Sequence, residues 1–333
     1  MSETRETLLS ADALNLTDTL LERRAGRDHR IDALFRMMVA AAAAMVLLLL
    51  LGAVLVMWQG GLAAFGAQGW DFISKDFWDP ANEVFHGLAP IFGTLVTAAI
   101  AVLIAAPLSL GVAVFLTELA PSWLRRPLAI AIELLAGIPS IIYGMWGLFV
   151  LVPLLGEHVY PWLGENASRL PLIGSWFAGV PIGIGLLTAG LVLAIMILPF
   201  IASVMREVFL TVPAPLKESA YALGSTTWEV VWDIVLPYTR SAVVGGILLG
   251  LGRALGETMA VTFVIGNANR LGALLEPGTS ISATIANEFA EAFADSHRSA
   301  LLGLGFLLFV VSFVVLGLAR VLRARLNRQG GQR

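Results

Sequence analysis

The chain has 333 residues, 58% of them hydrophobic and 14% charged, with a formal net charge of −3 and a mean hydropathy of +0.83. A soluble domain carries about 25% charged residues, so this composition cannot cover a water-facing surface, and several apolar runs reach the ~20 residues that cross a bilayer. Those runs lack the alternation of an outer-membrane barrel, and with no cysteine there is no disulfide framework and no thiolate chemistry.

The fold class is therefore an all-α polytopic membrane protein with six transmembrane helices. Residues 1–30 are polar, with Arg23, Arg24, Arg27 and Arg30 ahead of the first apolar run. They are expected to be either a disordered tail or an amphipathic helix on the membrane surface. No short apolar core with a small-residue cleavage site opens the chain, so the first apolar segment is expected to stay as an anchor. Spans are predicted at Leu34–Trp58, Ile91–Leu116, Pro127–Leu151, Gly183–Met205, Tyr238–Gly266 and Ala300–Val321, in a membrane domain of residues 31–323 followed by a basic tail, 324–333.

Pro107, Pro139 and Pro199 fall inside these spans, where neighbouring helices can re-satisfy the freed carbonyls. Pro139 is expected to bend span three. Glu133, two turns in from Arg126, either snorkels or lines an inner vestibule. Glu133 and Pro139 are thus the candidates for a kink and a pore lining.

Lysine and arginine set the orientation. The N-terminal tail through Arg36 carries six, and Arg125, Arg126, Arg206, Lys217, Arg240, Arg320, Arg323, Arg325, Arg328 and Arg333 lie on the same side of a six-span arrangement. The other side has Lys75, Arg169, Arg270 and Arg298. This asymmetry puts both termini and the Glu218–Pro237 loop in the cytoplasm. The outer loops are longer and aromatic, with Trp70, Phe72, Phe77, Trp78 and Phe85 in one and Trp162 and Trp176 in another. These side chains read as interfacial belts or as a docking surface for an extracytoplasmic partner.

Between spans four and five, about 213–237, lies a polar island, K-E-S-A-Y-A-L-G-S-T-T-W-E-V-V-W-D-I-V-L-P, from Lys217 to Pro237. Pro213 and Pro215 end the preceding helix, and a short helix is predicted from about Leu216 to Leu223. Gly224 stands where a left-handed C-cap is usual, and Leu236-Pro237 then opens span five. The spacing of Glu218, Ala220, Gly224, Ile234, Leu236 and Pro237 resembles the coupling loop of ABC-importer permeases, with Ser219 departing from the usual alanine. A P-loop needs a lysine after glycine, but the two lysines are Lys75 and Lys217, in S-K-D and L-K-E. The chain is thus expected to hydrolyse no nucleotide and to bind no cofactor, with ATP–Mg used by a separate ATPase. Histidines 29, 86, 158 and 297 have no metal-ligand spacing and read as exposed loop residues.

Arg253 and Glu257 fall inside the fifth span as predicted. Arg253 lies about 20 Å along the helix from Arg240, near the bilayer midplane, and an unpaired charge there costs ~2.5–3.5 kcal/mol or more. Four residues apart, the two would share a helix face, either as a structural salt bridge or as an anion site in which the Arg253 fork binds a tetrahedral oxyanion. One arginine is poor compensation for a dianion, so a second cation from a partner permease is expected. Gly246/Gly250 and Gly252/Gly256 have the spacing that lets helices approach closely, within this chain or against that partner. Ile281, Ile285, Phe289 and Phe293 mark an amphipathic helix on the outer side, a lid, a docking element or plain packing.

Four longer stretches narrow the resemblance: 78–97, 134–147, 252–267 and 281–289, including W-D-P-A-N-E-V-F-H-G-L-A-P, L-L-A-G-I-P-S-I-I-Y-G-M-W-G and G-R-A-L-G-E-T-M-A-V-T-F-V-I-G-N. Together they resemble the larger permease subunit of bacterial phosphate-specific ABC importers. That resemblance implies a second homologous permease, two ATPase subunits and a periplasmic phosphate-binding protein. It implies transport roles for Arg253 and Glu257 and ATPase coupling through Glu218, Ala220 and Gly224. A sulfate or molybdate importer is the nearest alternative. An ion-coupled secondary transporter would leave the 217–237 spacing unexplained, and a membrane scaffold would leave the buried charge unexplained.

Overall fold

The computed structural model describes residues 3–330, apart from 170, 172, 173, 178 and 181. Helix α1 covers Glu3–Gln68, so the polar segment predicted ahead of span one is helical from Glu3 on; residues 1, 2 and 331–333 of the two predicted tails lie outside the described residues. The chain divides into two compact units, one ending at Val56 and one beginning at Met57. In the first, Arg36 pairs with Asp32 one turn away at 3.0 Å, and the apolar side chains from Leu34 to Leu51 are exposed, as lipid contact requires.

In the second unit, α2 (Asp71–Ser74) and a two-stranded antiparallel hairpin, β1 (Trp78–Asp79) with β2 (Val84–Phe85), lead into α3 (Leu88–Val114). Then come α4 (Ser122–Ala136), α5 (Ser140–Trp146), α6 (Val152–Leu154), α7 (Tyr160–Asn166), α8 (Leu186–Leu210), α9 (Ala214–Ala222), α10 (Thr227–Val230), α11 (Leu236–Leu255), α12 (Met259–Thr262), α13 (Ile281–Glu288) and α14 (Asp295–Gly330). The turns Phe115–Leu119, Gly147–Leu151, Leu155–Val159 and Val231–Val235 are π-helical; the first ends the helical stretch begun by α3, and the other three join neighbouring helices without a break. Among the described residues six helical stretches are long and apolar enough to cross a membrane: Asp32–Gln68, Leu88–Leu119, Ser140–Asn166, Leu186–Leu210, Thr227–Leu255 and Asp295–Val321.

Two predicted spans move. Span three is not Pro127–Leu151: Ser122–Ala136 is a separate amphipathic helix, and the span begins after Pro139. Gly137 ends α4, and Pro139 (φ −57°, ψ 136°) takes the N-cap of α5, so the expected kink is a full break. Span five begins at Thr227, ten residues before Pro237, because Thr226 and Glu229 form a capping box there. Pro237 follows the wide turn, where its missing N–H removes a bond that the turn would otherwise have to supply.

Span four is the centre. In its most apolar window 61% of residues are buried, against 22–28% for spans two, three, five and six, so within the second unit those four spans are arranged around it. Its Ala189, Leu193, Met196, Ile197 and Ile201 meet the small face Ala98, Ala101 and Ala105 of α3. In a membrane such packing stabilises through close van der Waals contact, since lipid tails are as apolar as leucine. Gly250 of α11 illustrates how close: a Cβ there would sit 2.5 Å from the Ile201 side chain, and one at Gly246 would sit 3.1 Å from Val204. The Gly246/Gly250 pair therefore packs on span four of the same chain. Gly250→Leu should destabilise the detergent-solubilised protein by about 1–3 kcal/mol through overpacking, read as a lowered melting temperature. Gly252→Leu, with its nearest neighbour at 3.6 Å, should leave the melting temperature near wild type.

Candidate functional site

At one end of the bundle α9 lies between two tight turns. Pro213 starts it in an extended conformation, and Gly224, at φ +91°, ends it. Ser225 N–H reaches Ala220 O at 3.1 Å and Gly224 N–H reaches Tyr221 O at 3.0 Å, the paired bonds of a Schellman motif. A non-glycine residue is strained at that φ. Lys217 and Ala220, three apart and hence on one face, are half-buried; Leu216, Glu218, Ser219, Tyr221 and Leu223 are exposed. Ser219, at the departing motif position, bonds back to Pro215 O at 2.7 Å and leaves the helix intact. Lys217 Nζ meets Glu118 Oε1 at 2.5 Å. The rings of Trp228 and Trp232, which follow the Gly224 turn, lie 5.2 Å apart and tilted by 33°, both exposed. Glu133, half exposed, pairs with Arg206 at 3.4 Å at the same end.

Halfway along the bundle the structure separates two residues that the sequence places on one helix. α11 ends at Leu255, and Gly256 to Thr258 are not helical. Arg253 and Glu257 therefore do not share a helix face, and among the described residues no ion pair joins them. Arg253, in the last turn of α11, is exposed, with its guanidinium 5.7 Å from the centre of the Phe200 ring. Phe200 stands ten residues from the end of α8, about 15 Å of helix rise, which sets Arg253 about that far along the bundle from its α9 end. Glu257 Oε1 accepts from Ala260 N–H at 3.3 Å and so serves the first turn of α12. The same face of α11 borders a groove of 720 Å³ with Gly245, Leu249 and Gly252 on its wall and Arg320 and Arg323 among its lining residues.

At the opposite end the histidine reading is corrected for His86 and His297, which are both buried. His86 Nδ1 lies 2.8 Å from Phe77 O. Glu288 Oε2 accepts from Trp78 Nε1 and His297 Nε2, each at 2.8 Å, and Glu288 Oε1 accepts from Asn269 Nδ2 at 2.8 Å. The His297 ring stacks on Phe85, 5.0 Å between centres. One carboxylate thus joins the β1–β2 hairpin, the loop before α13, α13 itself and α14. In the hairpin, the Asn82 side-chain amide, 2.7 Å away, holds the Asp79 carboxyl below its usual range. The helix predicted from Ile281 gives way to a 3-10 turn at Phe289–Glu291, and Phe293 is exposed beyond it. No short-range signal marks Glu288: its partner Trp78 is 210 residues away.

Six spans and a short helix between spans four and five define the class. The family model described as "Binding-protein-dependent transport system inner membrane component" matches residues 105–328, and the chain belongs to that family. Over 324 residues it is 59% identical to the "Phosphate transport system permease protein PstC" of Xylella fastidiosa (strain 9a5c), covering 95% of this chain and 100% of that protein. It is 56% identical over 306 residues to the protein of the same name from Pasteurella multocida (strain Pm70), covering 92% and 95%. A chain of the bacterial alginate ABC transporter, solved in complex with an alginate pentasaccharide-bound periplasmic protein, superposes with a TM-score of 0.60 at 18% identity, covering 90% of this chain and 97% of that one. The likeness to that structure is one of fold.

Replacing Glu288 with Gln leaves buried donors facing a group that also donates, a loss of about 1–3 kcal/mol. Hydrogen exchange should speed up in residues 76–87 of the Glu288→Gln protein and stay unchanged in α9.

Proposed function

We propose that this chain is a permease subunit of an ATP-driven importer of inorganic phosphate. The observation that carries the reading is the identity of 59% with a phosphate transport system permease along that relative's whole length. It favours phosphate over sulfate, molybdate and an ion-coupled mechanism. The chain forms half of the pathway in the inner membrane. A second homologous permease forms the other half, two ATPase subunits use ATP–Mg, and a periplasmic phosphate-binding protein delivers the cargo. This chain itself binds no cofactor and catalyses no reaction. The lysine and arginine asymmetry supports a cytoplasmic position for both termini and α9.

α9 supplies the ATPase contact. Glu218, Tyr221 and Leu223 face outward from a helix fixed at both ends, so a partner groove can grip it, and Ala220 seats it on the bundle. The Gly224 turn passes displacement from α9 into α10 and α11. Arg253 lies at the far end of that same helical stretch, on the open side of this chain. A guanidinium at that depth has to face protein or water, since lipid would leave it unsolvated. Its planar fork suits a phosphate oxygen pair, and a cation from the second permease completes the charge. Glu257, turned to α12, leaves that fork open to the pathway.

The deciding experiment co-purifies the complex, reconstitutes it in liposomes and measures ATP hydrolysis with binding protein loaded with phosphate or with sulfate. Stimulation by the phosphate-loaded form alone is the expected outcome; uptake without any ATPase would overturn the reading. Within that assay, Gly224→Val should leave substrate choice intact while hydrolysis proceeds without uptake. Arg253→Gln should lower uptake about tenfold or more at equal abundance, the size expected for losing a hydrogen bond to a charged group, roughly 1.5–3 kcal/mol.

A further inference from the structure

Lys217 is the one charged side chain on the bundle-facing side of α9. It does not reach either span that α9 joins in sequence. It reaches Glu118, 99 residues earlier, at 2.5 Å, and the two side chains are only 18% and 7% exposed. Glu118 stands in the π-helical turn Phe115–Leu119 that ends span two, closed by Ala120 N–H to Phe115 O at 2.7 Å. Glu118 lies inside that turn, and its carboxylate reaches across to α9. Just past the turn, Arg125 Nε donates to Ala120 O at 2.8 Å and fastens the start of α4 to the same point.

Span two is also fastened at its other end. Ile281 N–H donates to Thr94 Oγ1 at 2.9 Å, and Gly93 lies against the Thr279 carbonyl so closely that a Cβ would collide with it. Ile281 opens α13, whose last residue is Glu288, the carboxylate that holds the hairpin and α14. Thr94 and Glu118 are 24 residues apart, about 36 Å of helix rise. One helix thus has a polar attachment to α9 at one end and to α13 at the other.

We propose that span two is the strut that carries force between the ATPase-docking helix and the opposite mouth, and that Glu118 and Lys217 are its positioning residues at the α9 end. The proposal rests on the importer reading above. An apolar contact at this joint could slide as α9 tilts. A buried ion pair resists sliding because parting the charges leaves each without its partner in a poorly solvated place. The pair therefore fixes which way span two moves when α9 moves, and it makes a route separate from the covalent ones through α8 and α10.

The test uses the whole complex in liposomes with phosphate-loaded binding protein, and reads uptake per ATP hydrolysed together with the melting temperature. The wild-type complex decides the importer reading first: no stimulation of ATPase by loaded binding protein would overturn that reading. Given stimulation, Glu118→Gln and Lys217→Gln should each lower uptake per ATP by about two- to thirtyfold, the range for residues on a coupling route. The exchanged pair, E118K with K217E, should restore most of the ratio, and Lys217→Arg should keep it. A merely structural pair would lower abundance or melting temperature with the ratio unchanged, and that result would overturn the strut. So would single variants with wild-type ratios, or an exchanged pair that assembles but stays uncoupled. If Glu118→Gln prevents assembly, Lys217→Gln and the exchanged pair carry the same comparison.

Discussion

In hydrocarbon there is no water to complete a broken helix, so each interruption in this bundle must find its hydrogen-bond partners inside the protein. The segment between Leu255 and Ser280 is the largest interruption, with only α12 as regular structure, and its carbonyls close another helix. Val264 O accepts from Gly185 N–H at 3.1 Å and Leu274 O accepts from Leu187 N–H at 2.9 Å, while Tyr160 Oη accepts from Thr188 N–H at 3.1 Å. These are N–H groups that the first turn of α8 cannot satisfy by itself. The most irregular stretch and the most buried span therefore hold each other in place, and the rest of the bundle packs around that joint.

The same break explains the two charges beside it. A helix C-terminus favours a cation and an N-terminus an anion, each by about 0.3–1 kcal/mol. Arg253 occupies the last turn of α11, and Glu257 precedes α12 and takes one of its N–H groups. Each charge thus has a helix end to complement it, and neither depends on the other. A mutual salt bridge would have tied the guanidinium down; the break leaves its fork on the exposed side, beside Phe200.

How much of this architecture is legible in the sequence depends on the range of each signal. Apolar runs mark spans two, four and six to within a few residues, and the Pro213 and Gly224 punctuation marks α9, because these signals are local. Span three shifts from its predicted place because 127–151 is apolar throughout: hydropathy cannot separate the amphipathic helix Ser122–Ala136 from the span behind it, and Gly137-Ile138-Pro139 reads equally well as a kink or as a break. Span five ends earlier than predicted for a related reason. Gly256-Glu257-Thr258 carries no strong helix stop, and the partners that favour the break, at Gly185 and Leu187, are some seventy residues earlier. Glu288, Trp78 and His297 lie in three separate stretches, so nothing in any one of them marks the group as a cluster.

These long-range polar contacts bear on how the protein can move. Apolar side chains lose little by exchanging protein neighbours for lipid, so apolar packing discriminates weakly between one helix arrangement and another. Discrimination falls to the close glycine contacts on span four, as at Gly250, and to a few polar joints near the two ends: Lys217 with Glu118, Thr94 with Ile281, and Glu288 with its three donors. A bundle held this way can keep a tight centre while its ends change partners. Packed interfaces shift between discrete arrangements and do not deform continuously, so in the proposed strut, remaking one joint at the α9 end switches the opposite mouth with no change in the packing of span four.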